Sequence, residues 1–474
     1  MEKAKGEAPA EKIAFDAALE RLGLKRAELY RHLKEDKIKG VKEDGALFFE
    51  AAEVEKLHGE LQAVVAELGD GLDRWAPFFA ERLGDGPPQA DGEGAEERVA
   101  ALGESILRDL VRLEGDGIYL DPLQKGCRLL YGIRHSNSEV ARFAPALAGP
   151  LCAFFAGLAS LPEADAGKER VALGAREIGG ADRPFRLTAV PTLLGELLHL
   201  HLLGAEARGL ESLGYIPAQA AALRRCLDGR PGAVVLAGAA DAEADRHRMA
   251  LAHELSAAGR LVVSLEHRVH RRSELLVQVD LSQPEGPGFD ALWRTALGMG
   301  PDAVFIDEIR SPEEAQALVE GAQSGAVVVA QVRAGSARHS LEKLKELEVD
   351  RLALAESLLA VVERRTFRRL CPQCRARDPL DADGANPVGG AVSFRAVGCQ
   401  GCGDGFEGRQ ALFGFHPLTD PLAEWLRAPS EDAGPFPPPP DELGLAAALR
   451  QAVEAGTVPV GAARPYERPA PKDA

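Results

Sequence analysis

The sequence predicts a multidomain α/β protein whose second half holds a parallel sheet. From residue 206 to residue 370, short apolar runs alternate with helical segments, which is the pattern of strands joined by crossover helices. The runs AVVLAG, LVVSLE, AVFIDE and AVVVAQV are rich in Val, as expected for strands buried on both faces. A tract of Gly, Pro and acidic residues over 83–97 separates this part from a smaller N-terminal region.

Composition indicates a globular protein of the reducing cytosol. The chain has 474 residues, enough for several cores, and a net charge of −17, which argues against general binding to nucleic acid or acidic membranes. Its N-terminus is polar, so no signal peptide is predicted, and seven cysteines without such a signal fit a cytoplasmic location. The uncharged stretch 143–162 contains Pro145 and Pro150 and predicts a buried helix instead of a membrane span.

Residues 1–62 predict a small module of helices and one hairpin. An apolar stripe over 15–22 marks a first helix, Gly23 a turn, and KRAELYRHLKED a second helix. KGVKEDGALFF predicts a hairpin with its turn at Asp44-Gly45, and a further helix follows. This order resembles the winged helix-turn-helix of MerR and excisionase proteins.

The second helix of this module carries a modest excess of positive charge. In a DNA-binding winged helix, the corresponding helix enters the major groove, where basic side chains contact phosphates. Glu28, Glu35 and Asp36 dilute the basic face, so DNA binding and docking on a partner protein both stay open, with docking favoured. The candidate DNA-binding residues are Lys25, Arg26, Arg31, His32 and Lys34.

Six segments along the chain occur in an order that is typical of one family. They are EGDGIYLDP, FRLTAVPTLLGELLHLHLL, LESLGYIPAQAAALRRCL, FIDEIR, RRLCPQC and GCQGCGDGFEGRQALF. In this order they resemble the hexameric ATPases of type II secretion and type IV pilus assembly. The resemblance covers about 97–460, roughly three-quarters of the chain.

The resemblance implies a fold, a division into domains and partners. It implies a RecA-like P-loop NTPase core, a PAS-like second N-terminal domain, and a hexamer that works with components of a secretion or pilus machine, peripheral to the inner membrane. The predicted division is a winged-helix module at 1–62, a helix end and acidic linker at 63–96, the PAS-like domain at 97–205, the motor core at 206–370, a tetracysteine zinc module at 371–415, and C-terminal helices with a Pro-rich loop and tail at 416–474.

The phosphate-binding loop of this family is degenerate here. A working loop reads GxxxxGK[ST]: its glycines let backbone amides face the phosphates, its Lys adds charge, and its hydroxyl binds magnesium. In register with the family, Gly238 is kept, the later glycines become Asp241 and Glu243, the lysine becomes Ala244, and the hydroxyl becomes Asp245. One badly placed carboxylate about 4 Å from a phosphate would oppose it by about 4 kcal/mol at an effective dielectric of about 20. The loop therefore predicts loss of ATP and magnesium binding.

Other motor positions keep part of the family's chemistry. The resemblance makes Glu308 and Glu266 vestigial catalytic candidates and Asp307 a possible magnesium ligand. Arg186 and Arg294 match arginines of the second N-terminal domain and of the motor. Without a phosphate-binding loop, however, two carboxylates cannot hydrolyse a nucleotide that is not held. The simpler interpretation of the glutamates is that they are strand-end acids with structural hydrogen bonds.

Four cysteines predict a structural zinc site. Cys371, Cys374, Cys399 and Cys402 form two CxxC pairs, and two such knuckles complete a tetrahedral site with four sulfur ligands. Because all four ligand positions are filled, the zinc would be structural. Two redox pairs or free thiols are the alternative.

The predicted function is that of a pseudo-ATPase. The chain would act as a scaffold or regulator of a secretion or pilus machine, in a homo- or hetero-hexamer that could include an active paralogue. One alternative is a weak ATPase with a nonstandard loop that uses Asp307 and Glu308. The other is a DNA-binding regulator that uses the N-terminal module.

Overall fold

The computed structural model describes residues 12–43, 46–85, 94–133, 136–161, 168–203, 209–239, 242–282, 286–378, 393–399, 402–429 and 434–462. The chain divides into two compact units, Met1–Leu202 and Leu203–Ala474. In the part of the chain that is described, no helix is long and apolar enough to cross a membrane.

The first unit begins with a three-stranded antiparallel sheet and the helices around it. Gly23 has a left-handed backbone (φ 67°), which ends the first helix and turns the chain into the second. Leu29, Phe49 and Val54 form the centre of the small core. The predicted order of helix, turn, helix, hairpin and helix is present, whereas the predicted turn at Asp44-Gly45 lies outside the described residues. The elements are β1 (Lys12–Ala14), α1 (Phe15–Leu22), α2 (Arg26–Lys34), β2 (Gly40–Glu43), β3 (Ala46–Glu50) and α3 (Ala51–Leu83), with β3 central.

The second part of this unit is a six-stranded antiparallel sheet covered by helices. Alternating residues of the strands, such as Leu129, Leu187 and Leu198, pack against the C-terminal half of α3 and two further helices. The predicted buried helix within 143–162 is confirmed. The elements are α4 (Ala95–Arg112), β4 (Gly117–Pro122), β5 (Cys127–Ile133), β6 (Ser136–Phe143), α5 (Pro145–Gly157), β7 (Arg170–Ile178), β8 (Ala181–Thr192) and β9 (Gly195–Leu202), in the sheet order β6-β5-β4-β9-β8-β7.

The second unit is built on a seven-stranded sheet with helices on both faces. The elements are α6 (Pro217–Asp228), β10 (Gly232–Gly238), α7 (Ala242–Ala257), β11 (Val262–Glu266), β12 (Val277–Asp280), α8 (Phe289–Gly298), β13 (Ala303–Ile306), α9 (Pro312–Gln323), β14 (Val327–Arg333), α10 (Ala337–Glu346), α11 (Arg351–Ser357), β15 (Leu358–Leu370), β16 (Ala376–Asp378), β17 (Ser393–Arg395), β18 (Phe406–Pro417), α12 (Asp420–Arg427) and α13 (Leu445–Glu454).

The order of this large sheet confirms the predicted parallel strands. It runs β12-β11-β13-β14-β10-β15-β18, and its neighbours are parallel except for the pair β15 and β18. The four Val-rich runs of the sequence are β10, β11, β13 and β14, and they are buried on both faces between two apolar cores. Because these strands are parallel, their carboxyl ends meet at one edge, where α/β proteins place ligands.

Candidate functional site

A cavity of about 140 Å³ lies at the carboxyl ends of β10, β13 and β14. Its floor is apolar and is formed by Leu236, Ile306 and Val329. Its walls are mostly charged and are formed by Ala244, Asp245, Arg248, Arg268, His270, Asp307, Glu308, Arg310, Gln331 and Arg333. Four of the predicted site residues, Ala244, Asp245, Asp307 and Glu308, therefore line the cavity, together with arginines that sequence reasoning did not single out, whereas Gly238, Glu243 and Glu266 are not among its lining residues.

The loop after β10 is held by side chains from the neighbouring strands. Gln331 on β14 donates from Nε2 to the Gly238 carbonyl at 3.0 Å. Arg364 on β15 donates from Nη2 to the Ala239 carbonyl at 2.7 Å. A Cβ added to Gly238 would lie 3.3 Å from Nε of Arg364, so this approach favours glycine. Asp241, one of the predicted site residues, lies outside the described residues.

A buried ion-pair network lies beside the cavity, and two of its members, Asp245 and Arg248, line it. Arg248 on α7 donates from Nη2 to Asp245 Oδ1 at 2.5 Å and to Glu266 Oε2 at 3.0 Å. Its Nη1 donates to Ser264 Oγ at 2.8 Å and also contacts Glu266 Oε1. The side chains of Arg248, Asp245 and Glu266 are 7%, 5% and 0% exposed. The Arg248 guanidinium therefore joins Asp245, which aligns with the magnesium-binding hydroxyl of the family, to Glu266, a catalytic candidate.

Burial and charge oppose each other in this network. Burial lowers the pKa of Arg248, but the nearby Glu266 and Asp245 carboxylates outweigh it and leave the pKa raised. Burial raises the pKa of Glu266, and the Arg248 guanidinium limits that rise. The buried charges depend on one another, since removal of either partner would leave the other unpaired in a low dielectric.

The sequence predicted that the acids of this loop repel a phosphate. The two of them that are described, Glu243 and Asp245, are instead paired with arginines. Arg246 Nη1 donates to both oxygens of Glu243, at 2.9 and 3.0 Å, and Arg248 pairs with Asp245. In both cases the arginine lies three residues after the acid, which places the two side chains on one side of the helix. The loop still lacks the lysine and the hydroxyl, but its described carboxylates are neutralised.

Asp307, the possible magnesium ligand, is paired with His267. Asp307 Oδ1 lies 2.8 Å from His267 Nδ1, and the other ring nitrogen of His267 lies 2.7 Å from Glu314 Oε1. Burial lowers the pKa of His267, but its hydrogen bonds to Asp307 and Glu314 outweigh burial and raise the pKa to about 9. At neutral pH the ring is therefore an imidazolium that bridges two carboxylates. The second Asp307 oxygen accepts the Arg268 backbone N–H at 3.2 Å.

Glu308, a catalytic candidate, is bound by two arginines. Arg310 donates from Nη2 to Glu308 Oε2 at 2.9 Å, and Arg333 donates from Nε to Oε1 at 2.8 Å. Burial raises the pKa of Glu308, but the bonds from Arg333 and Arg310 outweigh it, so the pKa is lowered. A carboxylate held in this way is a poor proton acceptor for an attacking water.

The predicted arginines lie elsewhere. Arg294 is exposed on α8 and Arg186 is buried on β8, in the first compact unit. Neither is among the residues that line the cavity. The residues missed by sequence reasoning are mainly Arg248, Arg268 and Arg310. The spacing between Asp245 and Arg248 could have revealed the first of these, because acids and bases three apart on a helix commonly pair.

The four paired cysteines converge, as the sequence predicted. Their Sγ atoms all lie within 4.8 Å of one another, and Cys402 Sγ lies 3.5 Å from both Cys374 Sγ and Cys399 Sγ. A tetrahedral ion with sulfur about 2.3 Å away separates its ligands by about 3.8 Å, so the cluster is positioned to bind a metal ion. The Gly405 N–H donates to Cys402 Sγ at 3.3 Å, and a Cβ at Gly405 (φ 87°) would lie 2.8 Å from the Val397 nitrogen.

In the N-terminal module, the second helix presents a basic surface. Lys25, Arg26, Arg31 and Lys34 are exposed, and His32 is half-buried. Tyr30 lies on the same helix and is 56% exposed. Asp16 pairs with Arg26 at 3.1 Å, which reduces the net charge of this surface. The contact with DNA or protein that was predicted for it stays a prediction.

Comparison with known proteins identifies the family to which the chain is similar. The chain is 28% identical over 368 residues to the type II secretion system protein E of Klebsiella pneumoniae, covering 76% of this chain and 72% of that protein. It is 25% identical over 380 residues to the type IV pilus assembly ATPase PilB of Myxococcus xanthus (strain DK1622), covering 77% and 66%. A crystal structure of the pilus retraction motor PilT with bound ADP covers 78% of this chain and 98% of that chain, with a TM-score of 0.51 and 13% identity, which supports the fold.

A family model supports the same assignment. The family model described as type II/IV secretion system protein matches residues 92–433. The chain belongs to this family, and the resemblance seen in the sequence is confirmed.

Proposed function

We propose that this protein is a catalytically inactive member of the family that acts as a scaffold or regulator in a secretion or pilus machine. The observation that carries the proposal is the buried network of Asp245, Arg248 and Glu266. A guanidinium, which cannot coordinate oxygen atoms of a nucleotide in the manner of magnesium, takes the space between these two carboxylates.

The other acids of the site are engaged in the same way. Asp307 is held by the His267 imidazolium, and Glu308 is held by Arg310 and Arg333. Binding of magnesium and ATP would have to separate at least one of these pairs. In the buried network of Asp245, Arg248 and Glu266, loss of the cation from its carboxylates costs about 3–5 kcal/mol, which is more than a hundredfold in affinity, whereas the more exposed Glu308 pairs are weaker. The lost lysine and the lost hydroxyl add to this cost.

We also propose that the cysteine cluster holds a structural zinc ion. Cys371, Cys374, Cys399 and Cys402 offer four sulfur ligands, a set that suits zinc and leaves no position for water. The segment packs on the end of α13, where Arg375 Nη1 donates to the Ala455 carbonyl at 2.9 Å. The ion would hold the shape of this surface and would take no part in catalysis.

Membership of the family supports a proposal that the chain assembles with other components of a machine. Relatives are named for type II secretion and type IV pilus assembly. We propose that this chain joins such a machine at the cytoplasmic side of the membrane, in a homo- or hetero-hexamer. In this assembly the PAS-like domain, the RecA-like core and the winged-helix module would serve as binding surfaces, and docking is the proposed role of the N-terminal module.

A second candidate function is DNA binding by that module. The observation that favours it is the run of exposed basic side chains on α2, with Tyr30 exposed beside Arg31. Basic side chains with an aromatic residue between them suit contact with a phosphate backbone.

Calorimetric titration with Mg²⁺ and ATP tests the main proposal. We expect no binding and no hydrolysis for the full chain, whereas PilB of Myxococcus xanthus, the relative named as an ATPase, serves as the positive control. Hydrolysis by this chain that is lost on Asp307→Asn and kept on Arg338→Gln, a substitution of an exposed arginine on α10, would establish a weak ATPase instead.

A further inference from the structure

We propose that Cys127 and Cys152 form a reversible disulfide bond when the chain meets a hydroperoxide, so that this pair of thiols is a site of oxidative modification. Both residues belong to the first compact unit, where Cys127 begins β5 and Cys152 lies on α5. Neither of them lines the cavity at the strand ends or belongs to the cluster of four cysteines. The pair therefore takes no part in the candidate nucleotide site or in the metal centre.

The two thiols meet in the core between the six-stranded sheet and α5. Cys127 alternates along β5 with Leu129 and Tyr131, and all three side chains are buried in this core. Cys152 packs against the same core from α5. The two thiols form a hydrogen bond with each other, and this bond has the largest influence on the pKa of each.

The backbone around Cys127 is held by close packing. Cys127 pairs with Phe143 at the end of β6, and Trp75 packs edge-on against the Phe143 ring with a centroid distance of 5.4 Å. Gly126 has a left-handed backbone (φ 90°), and a Cβ at this position would lie 1.9 Å from the Phe143 carbonyl oxygen, so the close approach requires glycine. Because α5 begins directly after β6, at Pro145, the strand partner of Cys127 leads straight into the helix that carries Cys152.

Exposure and charge give the two thiols different roles. Cys127 is 3% exposed, whereas Cys152 is half-buried and can be reached by a small oxidant. The hydrogen bond with Cys127 lowers the pKa of Cys152, although burial and the nearby Glu196 carboxylate oppose this change. The same bond, together with burial, raises the pKa of Cys127. An accessible thiol with a lowered pKa beside a second thiol is the arrangement expected of a redox-sensing pair.

The reaction takes place in two displacements. The Cys152 thiolate attacks one oxygen of hydrogen peroxide, so that an S–O bond forms, the O–O bond breaks and the departing hydroxide is protonated to water. The sulfur of Cys127 then attacks the sulfur of the Cys152 sulfenic acid. An S–S bond forms, the S–O bond breaks, and the departing hydroxide takes up the Cys127 proton as a second water. Two thiols are thus oxidised by two electrons, and one peroxide is reduced to two waters.

The bond would restrain the support of the long helix α3. Besides the sheet, α5 packs against α3 and α4, and the C-terminal half of α3 belongs to the same core as the two thiols. A covalent link between β5 and α5 would therefore hold this core more firmly while peroxide is present. In the reducing cytosol predicted for this chain, such a disulfide would be transient and would act as a sensor.

Peptide mapping of the full chain, before and after brief treatment with hydrogen peroxide, tests the proposal. We expect the peptides that contain Cys127 and Cys152 to be recovered as a linked pair, lighter by two hydrogen atoms than the two free peptides, and to be released by dithiothreitol. Before oxidation, Cys152 should react with iodoacetamide at least about threefold faster than Cys226, because burial raises the pKa of Cys226. The amides of α5 should exchange with deuterium more slowly in the oxidised protein.

Two substitutions separate the roles of the thiols. In Cys127→Ser, peroxide should leave Cys152 as a sulfenic acid that dimedone labels, because the second thiol is gone. In Cys152→Ser, Cys127 should stay a thiol. The control Cys226→Ser, in the second unit, should form the linkage as fully as the unchanged chain does. Since the linkage is first sought in the unchanged chain, a variant that misfolds cannot hide the result.

Recovery of both peptides as free thiols or as unlinked sulfenic acids would overturn the inference. Faster alkylation of Cys226 than of Cys152, or labelling of Cys127 by dimedone in Cys152→Ser, would overturn the assigned roles. A linkage without slower exchange in α5 would overturn the proposed restraint. All of these measurements are made without a nucleotide, so their failure leaves the pseudo-ATPase proposal intact.

Discussion

Removal of the Arg248 guanidinium should destabilise the second unit strongly. Arg248→Met keeps an unbranched side chain but leaves Asp245 and Glu266 without their cation, and these carboxylates are 5% and 0% exposed. Loss of one partner from a buried ion pair costs about 3–5 kcal/mol, because the remaining charge is uncompensated. We expect a loss of that size in the free energy of unfolding at pH 7.5.

Urea denaturation followed by tryptophan fluorescence measures this loss. A Trp75→Phe background leaves Trp293 and Trp425 as reporters, and both belong to the second unit. The matched control is Arg338→Met, which breaks an exposed pair with Glu342 and should cost less than about 1 kcal/mol.

The pH dependence identifies the cause of the loss. Without Arg248, burial raises the pKa of the Glu266 carboxyl in the folded state further above its unfolded value, because the cation that limited the rise is gone. A buried carboxyl with a raised pKa destabilises the fold when it is charged and no longer does so once it is protonated. The penalty of Arg248→Met should therefore shrink as the pH falls from 7.5 toward 5. The triple variant Asp245→Asn/Arg248→Met/Glu266→Gln should recover most of the stability. A loss below about 1 kcal/mol that does not vary with pH would refute the reasoning.

Three further outcomes can be measured. The pKa of His267 is raised to about 9 from 6.5, so the stability that this residue contributes is complete below pH 6.5 and is lost as the pH rises through 9. His267→Gln should therefore reduce the decline of the unfolding free energy with pH between 6.5 and 9. An unchanged pH dependence would contradict the bridge that His267 forms between Asp307 and Glu314. Cys374→Ser should reduce bound zinc from about one ion per chain to almost none by atomic absorption, whereas Cys226→Ser should keep it, and full retention in the first variant would exclude the four-sulfur site. If the N-terminal module binds duplex DNA, Arg31→Ala should weaken a salt-dependent gel shift by about tenfold relative to Lys56→Ala on α3; no shift at low salt would leave protein docking as its role.

The strands of the motor could be predicted because their burial leaves a direct mark on the sequence. β10 and β13 are uninterrupted apolar runs, and β11 and β14 are largely apolar, as expected for strands buried on both faces. β18 was not predicted as a strand of this sheet, since it is half polar and follows the last of the four paired cysteines. Its pairing with β15 joins Arg364 to Phe413, residues far apart in sequence, and no local pattern specifies such a register.

The residues of the site could be predicted better than their partners. Alignment with the family motifs placed Asp307 and Glu308 at the strand ends, and they lie in the cavity. Two of the cations that neutralise them, Arg333 on β14 and His267 after β11, become neighbours only when the sheet forms, whereas Arg310 is local to Glu308. Glu243 and Asp245 pair with Arg246 and Arg248 three residues later, so these two pairs could have been predicted from the spacing alone.

The length of helix α3 determines how the N-terminal module is oriented relative to the six-stranded sheet that follows it. Its first turns pack in the small core through Val54 and Leu57, its last turns pack in the next core through Leu72 and Phe79, and residues 62–67 between them are exposed on every side. A helix advances about 1.5 Å and rotates about 100° with each residue, so one residue inserted in this exposed stretch would swing the module about a quarter turn around the axis. Seven inserted residues would restore its heading and move it about 10 Å farther out. The length of this stretch thus sets the orientation of the module around the axis of α3.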